Sequence, residues 1–249
     1  MTPEQILSHP PKILSQEQRQ DYFELGYFKE EGLIPKNTLI ELRRVIDKVL
    51  DASREETQSG TVFDLGPGHG PQKPVLRRLK KPDEYDQVFW DFASGLIADV
   101  ASDIAGPDVV FHHSKLNFKW NDSNDEVKWH QDLVFYPHTH SGTMQFLLFL
   151  EDVAAEQGPL ELYPGSHLGP IFEHYDERGE WTAAVRENDL ASVGSDGPVA
   201  VTGPAGTVSV HHSRTIHGSR QNKSSQGRPV LVLTYSAADA IPYTAPAYP

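Results

Sequence analysis

The chain has 249 residues, of which 38% are hydrophobic and 23% are charged, and it contains no cysteine. The absence of cysteine excludes disulfide bonds, thiol nucleophiles, iron–sulfur clusters and cysteine-ligated zinc. The 22 Lys and Arg residues are outnumbered by 35 Asp and Glu residues, and the formal net charge of −13 argues against nucleic acid and anionic membranes as partners.

A chain of this length can form a full core as one domain, and we expect a single domain over residues 1–249. The first residues show no basic segment followed by an apolar one, so no signal peptide is predicted. No apolar run reaches the ~20 residues that span a bilayer. Together with the lack of cysteine, these features predict a cytoplasmic protein. They leave its oligomeric state open.

The first part of the chain, residues 1–107, shows the spacing of amphipathic helices. The predicted helices cover residues 15–32, 35–50 and 84–105. Apolar residues recur there three or four positions apart, which is typical of a helix with one buried face. Residues 54–75 are polar and glycine-rich, so a long loop is predicted between the second and third helices.

From residue 108 the pattern changes to short apolar runs, which are typical of strands. The predicted strands are 109–119, 128–134, 143–151, 159–163, 198–202, 206–212 and 229–237. Many short strands after a helical first part predict a mainly β fold of the α+β class. We expect a jelly roll over 108–238 with the N-terminal helices packed on one sheet. Residues 165–197 are rich in charge and poor in apolar residues, and they are predicted to form an insertion or a lid.

A histidine and an aspartate stand two positions apart on the predicted strand 128–134. Residues i and i+2 of an extended chain share a face, so the side chains of His130 and Asp132 project together. His217, which follows a later apolar strand, is the best candidate for a third ligand of a cation bound there. Two histidines and one carboxylate are the ligand set of non-haem Fe(II) oxygenases.

The same residues also have structural interpretations. A His-x-Asp pair alone is more often a hydrogen-bonded surface pair than a metal site. Arg228 opens the strand 229–237, where its guanidinium could bind a carboxylate beside the metal or form a salt bridge at the strand edge. The combination of His130, Asp132, His217 and Arg228 favours the oxygenase interpretation.

Three stretches of the sequence resemble the phytanoyl-CoA dioxygenase family of Fe(II)/2-oxoglutarate oxygenases. They are Trp129-His-Gln-Asp-Leu, Gly158-Pro-Leu-Glu-Leu-Tyr-Pro-Gly-Ser-His167 and His212-Ser-Arg-Thr-Ile-His-Gly-Ser219, followed by Arg228 eleven residues after His217. Tyr22-Phe-Glu-Leu-Gly-Tyr27 is similar to the opening helix and first strand of the family. The resemblance runs from about residue 15 to about residue 238. It implies a double-stranded β-helix, the cupin-like jelly roll, with helices buttressing one sheet.

The resemblance also implies Fe(II) as the metal and 2-oxoglutarate and O₂ as co-substrates. His130, Asp132 and His217 would then hold the iron, and Arg228 would bind the distal carboxylate of 2-oxoglutarate. The retained carboxylate ligand argues for hydroxylation or a related oxidation, because halogenases of the family lack it. Further co-substrate contacts carried over from the family are Ser219, Asn117, Gln145 and Tyr136.

Other residues are candidates for substrate contacts or for plain packing. The substrate candidates are Phe135 and His138, which follow the metal strand, and Arg77 and Arg78, which belong to the basic run 77–81. Aromatic residues after the metal strand are also compatible with a solvated loop. A basic run can attract an anionic substrate, although it is more often a solvated face. The histidines assigned to the core or to strand edges are His112, His113, His211 and His212.

The sequence therefore predicts an Fe(II)/2-oxoglutarate-dependent dioxygenase acting on a C–H bond of a small, polar metabolite or natural-product intermediate. It would convert 2-oxoglutarate and O₂ to succinate and CO₂. Two alternatives stay open: the same chemistry on an acyl-CoA or a peptide side chain, and a jelly-roll protein that binds metal without turnover. The carboxylate clamp at Arg228 disfavours the second alternative.

Overall fold

The computed structural model describes residues 1–121, 125–194 and 197–244, with helices mainly in the first part and strands mainly in the second. The helices are α1 (Pro3–Ser8), α2 (Gln16–Leu25), α3 (Lys36–Ser53), α4 (Pro82–Tyr85), α5 (Gln87–Phe92), α6 (Ala98–Ala105) and α7 (Glu187–Leu190). The strands are β1 (Tyr27–Glu30), β2 (Phe63–Leu65), β3 (Leu76–Lys80), β4 (Val109–Lys119), β5 (Val127–His130), β6 (Thr143–Phe149), β7 (Leu160–Leu162), β8 (Val199–Val201), β9 (Val208–His212), β10 (His217–Ser219) and β11 (Arg228–Ala237). Of the predicted domain 1–249, residues 122–124, 195–196 and 245–249 lie outside the described residues, and 195–196 also belong to the predicted insertion 165–197.

Two antiparallel sheets form the β part of the molecule. The larger sheet has the order β1-β9-β6-β11-β4-β3-β2, and the smaller has the order β5-β10-β7-β8. The central neighbours β9, β6, β11 and β4 of the larger sheet are not consecutive in sequence, as expected when the chain crosses repeatedly between the two sheets of a jelly roll. The predicted α+β class and jelly-roll core are confirmed.

Alternation along β6 shows how the larger sheet builds two apolar layers. Phe146 and Leu148 join the core that also contains the N-terminal helices, whereas Leu147 and Phe149 join a cluster with residues of the smaller sheet. Successive side chains of a strand point to opposite faces, so a continuous apolar run serves both layers. The helices thus cover one face of the larger sheet, and the other face lies opposite the smaller sheet.

Helix α3 supplies much of the helical side of this core. Leu42, Val45 and Val49 on its inner face are each at most 1% exposed. Burying such side chains contributes about 1.5–3 kcal/mol each before the entropy cost of ordering the chain. The apolar face predicted for residues 35–50 is therefore buried in the core.

The predicted helix 15–32 is wrong beyond residue 25. Gly26 adopts a left-handed conformation (φ 77°), which ends α2, and β1 then pairs with β9 at the sheet edge. A Cβ at Gly26 would lie 2.4 Å from Nδ1 of His167, so the close approach of the two segments also requires glycine.

Three further boundaries differ from the prediction. The predicted helix 84–105 begins earlier and is divided into α4, α5 and α6, with a wide turn at Ala93–Ile97. The predicted loop 54–75 contains β2, whose three residues are too few to show a period. The predicted strand 128–134 ends at His130, and a 3-10 turn follows at Asp132–Val134.

The described part of the insertion lies between β7 and β8 and is attached to the smaller sheet. The Val185 amide donates to the Trp129 carbonyl at 2.8 Å, and the Gln131 amide donates to Nε2 of His174 at 3.0 Å. These bonds hold the insertion against the end of β5. No helix of the described ranges is long and apolar enough to cross a membrane.

Candidate metal centre

Strand pairing brings together the side chains that the sequence placed in a metal site. His130, at the end of β5, is the register partner of His217, at the start of β10, and their ring centroids lie 4.1 Å apart. Asp132 follows His130 after one extended residue, Gln131 (φ −120°, ψ 127°), so its side chain turns to the same face. The ligand atoms of the three residues all lie within 4.8 Å of one another.

The two histidines are oriented with the same nitrogen towards the carboxylate. His130 Nε2 lies 3.5 Å from Asp132 Oδ1, and His217 Nε2 lies 3.7 Å from Asp132 Oδ2. Each Nδ1 faces a backbone carbonyl, that of Lys128 at 2.8 Å and that of Thr215 at 2.9 Å. A carbonyl accepts a hydrogen bond from Nδ1–H, which leaves the Nε2 lone pair free for a cation.

The charge states also suit a divalent cation. Burial alone would raise the pKa of Asp132, but His217, His130 and His211 outweigh it and hold that pKa well below its ordinary value. Burial, followed by the neighbouring rings of His130 and His211, lowers the pKa of His217 well below its ordinary value. An ionised carboxylate with neutral imidazole is the form that binds metal.

A fourth residue of this cluster, His211, was missed by the sequence interpretation, which assigned it to the core. Its Nε2 lies 3.2 Å from Asp132 Oδ2, and its ring centroid lies 4.2 Å from that of His217. Adjacent strand residues point to opposite faces, so one of the pair His211 and His212 had to face the interior of the jelly roll. The sequence alone did not show which one.

Arg228 begins β11 and is enclosed in the cleft between the sheets. Its Nε is buried without a hydrogen-bond partner, and no carboxylate of the described residues forms an ion pair with it. Burial lowers the pKa of Arg228 to about 10, so the guanidinium stays charged at pH 7. A buried cation without a counter-ion is costly, and a bound carboxylate would relieve this cost.

One cleft of about 130 Å³ connects Arg228 with the metal cluster. The predicted co-substrate residues Ser219, Asn117 and Gln145 all line it. Tyr136 does not; it lines a larger neighbouring cavity, where its ring lies 5.2 Å from that of His113. The reason is the 3-10 turn at Asp132–Val134, which turns the chain away from the cleft before Tyr136.

Lys119 is a second buried cation near Arg228 that the sequence interpretation missed. It is the register partner of Arg228, and its Nζ donates a hydrogen bond to Ser219 Oγ at 2.7 Å. Burial, together with the charge of Arg228, lowers the pKa of Lys119 to about 7. Only the pairing of β4 with β11 could have revealed this neighbour.

Phe135 packs against the metal cluster and links it to the insertion. Its ring lies edge-on to that of His130 at 5.6 Å and to that of Trp181 at 5.5 Å. Trp181 in turn stacks on His174 at 5.9 Å. The insertion therefore covers the His130 side of the centre, while its role as a lid stays a prediction.

The structure does not place two of the predicted substrate contacts at the site. Arg77 pairs with Asp64 and Asp125, at 3.3 and 3.2 Å, because adjacent strand residues cannot both face the cavity that Arg78 lines. His138 is buried against His112, with ring centroids 5.0 Å apart, and lines neither cavity.

The family model for phytanoyl-CoA dioxygenase (PhyH) matches residues 22–230, which is most of the chain. The chain belongs to the phytanoyl-CoA dioxygenase family. The resemblance drawn from the sequence motifs is thereby confirmed.

Two curated relatives of this phytanoyl-CoA dioxygenase family member match over most of their length. The chain is 33% identical over 230 residues to a probable alpha-ketoglutarate-dependent hypophosphite dioxygenase of Stutzerimonas stutzeri. The match covers 91% of this chain and 80% of that protein. The chain is also 31% identical over 221 residues to the L-proline trans-4-hydroxylase of Streptomyces griseoviridis. This match covers 81% of this chain and 80% of that protein.

Solved structures share the fold at lower identity. EctD from S. alaskensis in its apoform matches with a TM-score of 0.75 at 23% identity, covering 92% of this chain and 79% of that one. The epimerase SnoN in complex with Fe³⁺, alpha ketoglutarate and nogalamycin RO matches with a TM-score of 0.72 at 21% identity, covering 90% and 84%.

Proposed function

We propose that this family member is an Fe(II)/2-oxoglutarate-dependent dioxygenase that hydroxylates or otherwise oxidises a C–H bond of a small, polar metabolite. One observation carries the proposal: Arg228, half-buried with its Nε unpartnered and without an ion pair to a described carboxylate, opens on the same cleft as the ligand atoms of His130, Asp132 and His217. A keto acid that chelates a metal at one end and carries a carboxylate at the other matches both ends of this cleft. 2-Oxoglutarate has this form.

In this function His130, Asp132 and His217 hold the iron and Arg228 binds the distal carboxylate of the co-substrate. Iron bound with 2-oxoglutarate and O₂ supplies the oxidising power, and succinate and CO₂ are the co-products. Ser219 and Lys119, joined by a hydrogen bond of 2.7 Å, stand beside Arg228 and add a hydroxyl and a second cation for the same carboxylate.

Gln131 positions the two ligands on either side of it. It is fully buried, and its side-chain amide donates to the carbonyls of Pro170 and Arg214 at 3.1 and 2.8 Å. Its side-chain oxygen accepts the Phe172 amide at 2.9 Å. These bonds fix the short link between His130 and Asp132 against the insertion and maintain the angle at which both face the metal.

The walls of the cleft are apolar away from the ligands. They are formed by Leu147, Leu160, Val230 and Val232. An apolar wall excludes water and strengthens the interaction of Arg228 with a bound carboxylate.

The neighbouring cavity supports a small substrate rather than a protein side chain. Its volume of about 600 Å³ is in the range of sites for small molecules. The named substrates of the curated relatives, hypophosphite and L-proline, are also small and polar.

The proposal is tested by anaerobic titration of the protein with Fe(II) and 2-oxoglutarate. We expect the weak visible charge-transfer band of the chelate, and succinate formation when O₂ is added. Asp132→Ala should lose both signals, whereas Asp47→Ala, on the exposed face of α3, should keep both. A wild-type protein that binds Fe(II) but gives neither band nor succinate would instead support metal binding without turnover.

A further inference from the structure

The larger cavity beside the metal centre has an unusual charge for so acidic a protein. Its charged lining residues are Arg78, Lys80, Lys81, Lys115 and Glu84. The single carboxylate among them, Glu84, is paired with Lys81 at 2.9 Å. The remaining charge of the wall is positive, in a chain whose formal net charge is −13.

Strand alternation concentrates these cations on one face. Arg78 and Lys80, two residues apart on β3, are the register partners of Asn117 and Lys115 on β4. Lys80 and Lys115 thus stand directly opposite each other, and like charges in such positions destabilise a sheet. A destabilising pair beside an active site points to a ligand that compensates for it.

Lys115 occupies the boundary between the two spaces. It lines both the cavity and the cleft that contains the metal cluster. Burial lowers the pKa of Lys115, as does the charge of Arg78, and Asp132 is the one carboxylate whose charge opposes this. The ammonium group forms no hydrogen bond or ion pair with any residue of the described ranges. In the proposed function Asp132 is a ligand of Fe(II), whose charge of +2 offsets that carboxylate, so Lys115 would be left without a counter-charge.

The neighbours of Lys115 complete a site for an anion. Arg78 is held in place by a hydrogen bond from its Nε to Asn117 Oδ1 at 3.0 Å. His113 and Tyr136 also line the cavity, with ring centroids 5.2 Å apart. Burial, with the charge of Lys115, lowers the pKa of His113 to about 4, so the neutral ring adds no charge to this wall.

This site is distinct from the co-substrate clamp. Lys119 is the partner of Arg228, whereas Lys115 lies four residues away on β4, opposite Val232. Four residues of a strand span roughly 13 Å. Arg228 and Lys115 therefore lie at different points of the cleft that the metal ligands also line.

We propose that the substrate of this enzyme is anionic: a small molecule whose phosphonate-type or carboxylate-type group binds Lys115 and Arg78. The anion would rest at the boundary of the cavity, with its neighbouring carbon atoms directed towards the metal cluster. This inference rests on the proposed function and adds the substrate class to it. Charge-assisted hydrogen bonds to both cations supply the affinity.

The test is calorimetric titration of the anaerobic protein loaded with Fe(II) and 2-oxoglutarate. The probes are methylphosphonate and propionate, each compared with a neutral analogue, dimethyl methylphosphonate and propionamide. We expect saturable binding of at least one anion and of neither neutral analogue. The two anions distinguish a phosphonate-type from a carboxylate-type head.

Substitution of Lys115 then locates the binding. Lys115→Met should weaken anion binding at least tenfold, about 1.4 kcal/mol, while the titration of the 2-oxoglutarate band stays unchanged. Lys48→Met, on the exposed face of α3, should change neither. Arg78→Gln provides a second variant if Lys115→Met fails to fold.

Three results would overturn the inference. They are equal binding of neutral and anionic probes, no anion binding by wild-type protein that shows the chelate band, and loss of 2-oxoglutarate affinity rather than anion affinity in Lys115→Met. If the wild type shows no chelate band, the proposed function fails separately. Titration of the metal-free protein with methylphosphonate, with and without Lys115→Met, then still decides whether the cavity binds anions.

Discussion

His211 donates a hydrogen bond from Nε2 to one oxygen of Asp132, Oδ2, at 3.2 Å, while the other oxygen, Oδ1, lies 3.5 Å from His130 Nε2. Strand β9 holds His211 in this position by pairing with β6. The carboxylate is thus oriented from two sides. A partner of this kind sets the direction in which a ligand carboxylate presents its free oxygen.

We expect His211→Phe to weaken Fe(II) binding roughly 10–100-fold, because Asp132 loses the group that orients it. The measurement is Fe(II) affinity by anaerobic competition with a chromophoric chelator. His212→Phe is the matched control, since the adjacent ring faces Tyr22 and His167, at 6.1 and 5.3 Å, and not the cluster. Equal Fe(II) affinities in the two variants would contradict the positioning role.

Arg228→Met should raise the dissociation constant of 2-oxoglutarate while leaving Fe(II) binding unchanged. Hydrogen bonds to charged groups contribute about 1.5–3 kcal/mol, which corresponds to roughly 10–150-fold in affinity. The visible chelate band, titrated with 2-oxoglutarate at fixed Fe(II), measures the change. Arg44→Met, on the exposed surface of α3, is the control. An unchanged dissociation constant in Arg228→Met would exclude the clamp.

The lowered pKa of Lys119 leads us to expect that the binding of 2-oxoglutarate depends on pH. Because its pKa is lowered to about 7, Lys119 is mainly charged below pH 7 and mainly neutral above it in the free protein. A bound carboxylate favours the charged form, so 2-oxoglutarate affinity should fall as the pH rises above 7, by up to about tenfold per pH unit.

Substitution separates this effect from other titrations. Lys119→Arg should bind 2-oxoglutarate with little pH dependence between pH 6 and 9, since arginine stays charged. Lys119→Met should bind weakly at every pH. The same pH profile in wild type and Lys119→Arg would show that a group other than Lys119 titrates.

Buried histidines predict a loss of stability in acid. Burial, with the charges of His167 and Arg214, lowers the pKa of His212 to about 3, well below the value of about 6.5 in an unfolded chain. Between these values the unfolded chain binds the extra proton, so the free energy of unfolding falls as the pH drops below about 6.5. The slope approaches about 1.4 kcal/mol per pH unit for each such histidine.

Urea unfolding at pH 7.5 and pH 5.5 measures this slope in the metal-free protein. His212→Leu should lower the stability at pH 7.5, because its packing changes, but should show a smaller decrease between the two pH values. An identical decrease in wild type and variant would assign the acid sensitivity to other groups.

Local patterns predicted those parts of the fold that are regular over many residues. The apolar spacing of α3 and the continuous apolar runs of β6 and β11 were correctly interpreted, because each element buries a face along most of its length. The short edge strand β2 was missed, and β1 was indicated only by the family resemblance that ends at Tyr27, since three or four residues carry no readable period.

The cluster of His130, Asp132 and His217 shows how far the sequence alone determined the site. Spacing placed the first two on one face. The positions of His217 and Arg228 beside apolar strands made them candidates, and the motif resemblance then implied their roles. Contacts across strands were decided only by the tertiary structure: His211 beside Asp132, Lys119 beside Ser219, and Lys115 between cleft and cavity.

The physical reason is that the periodicity of a strand depends on its own residues, whereas its register depends on partners far along the chain. Lys119 and Ser219 are separated by 100 residues, and Asp132 and His211 by 79. Alternation limits each side chain to one of two faces. Which face turns inward, and what it meets there, follows from how the eleven strands of the described residues pack together.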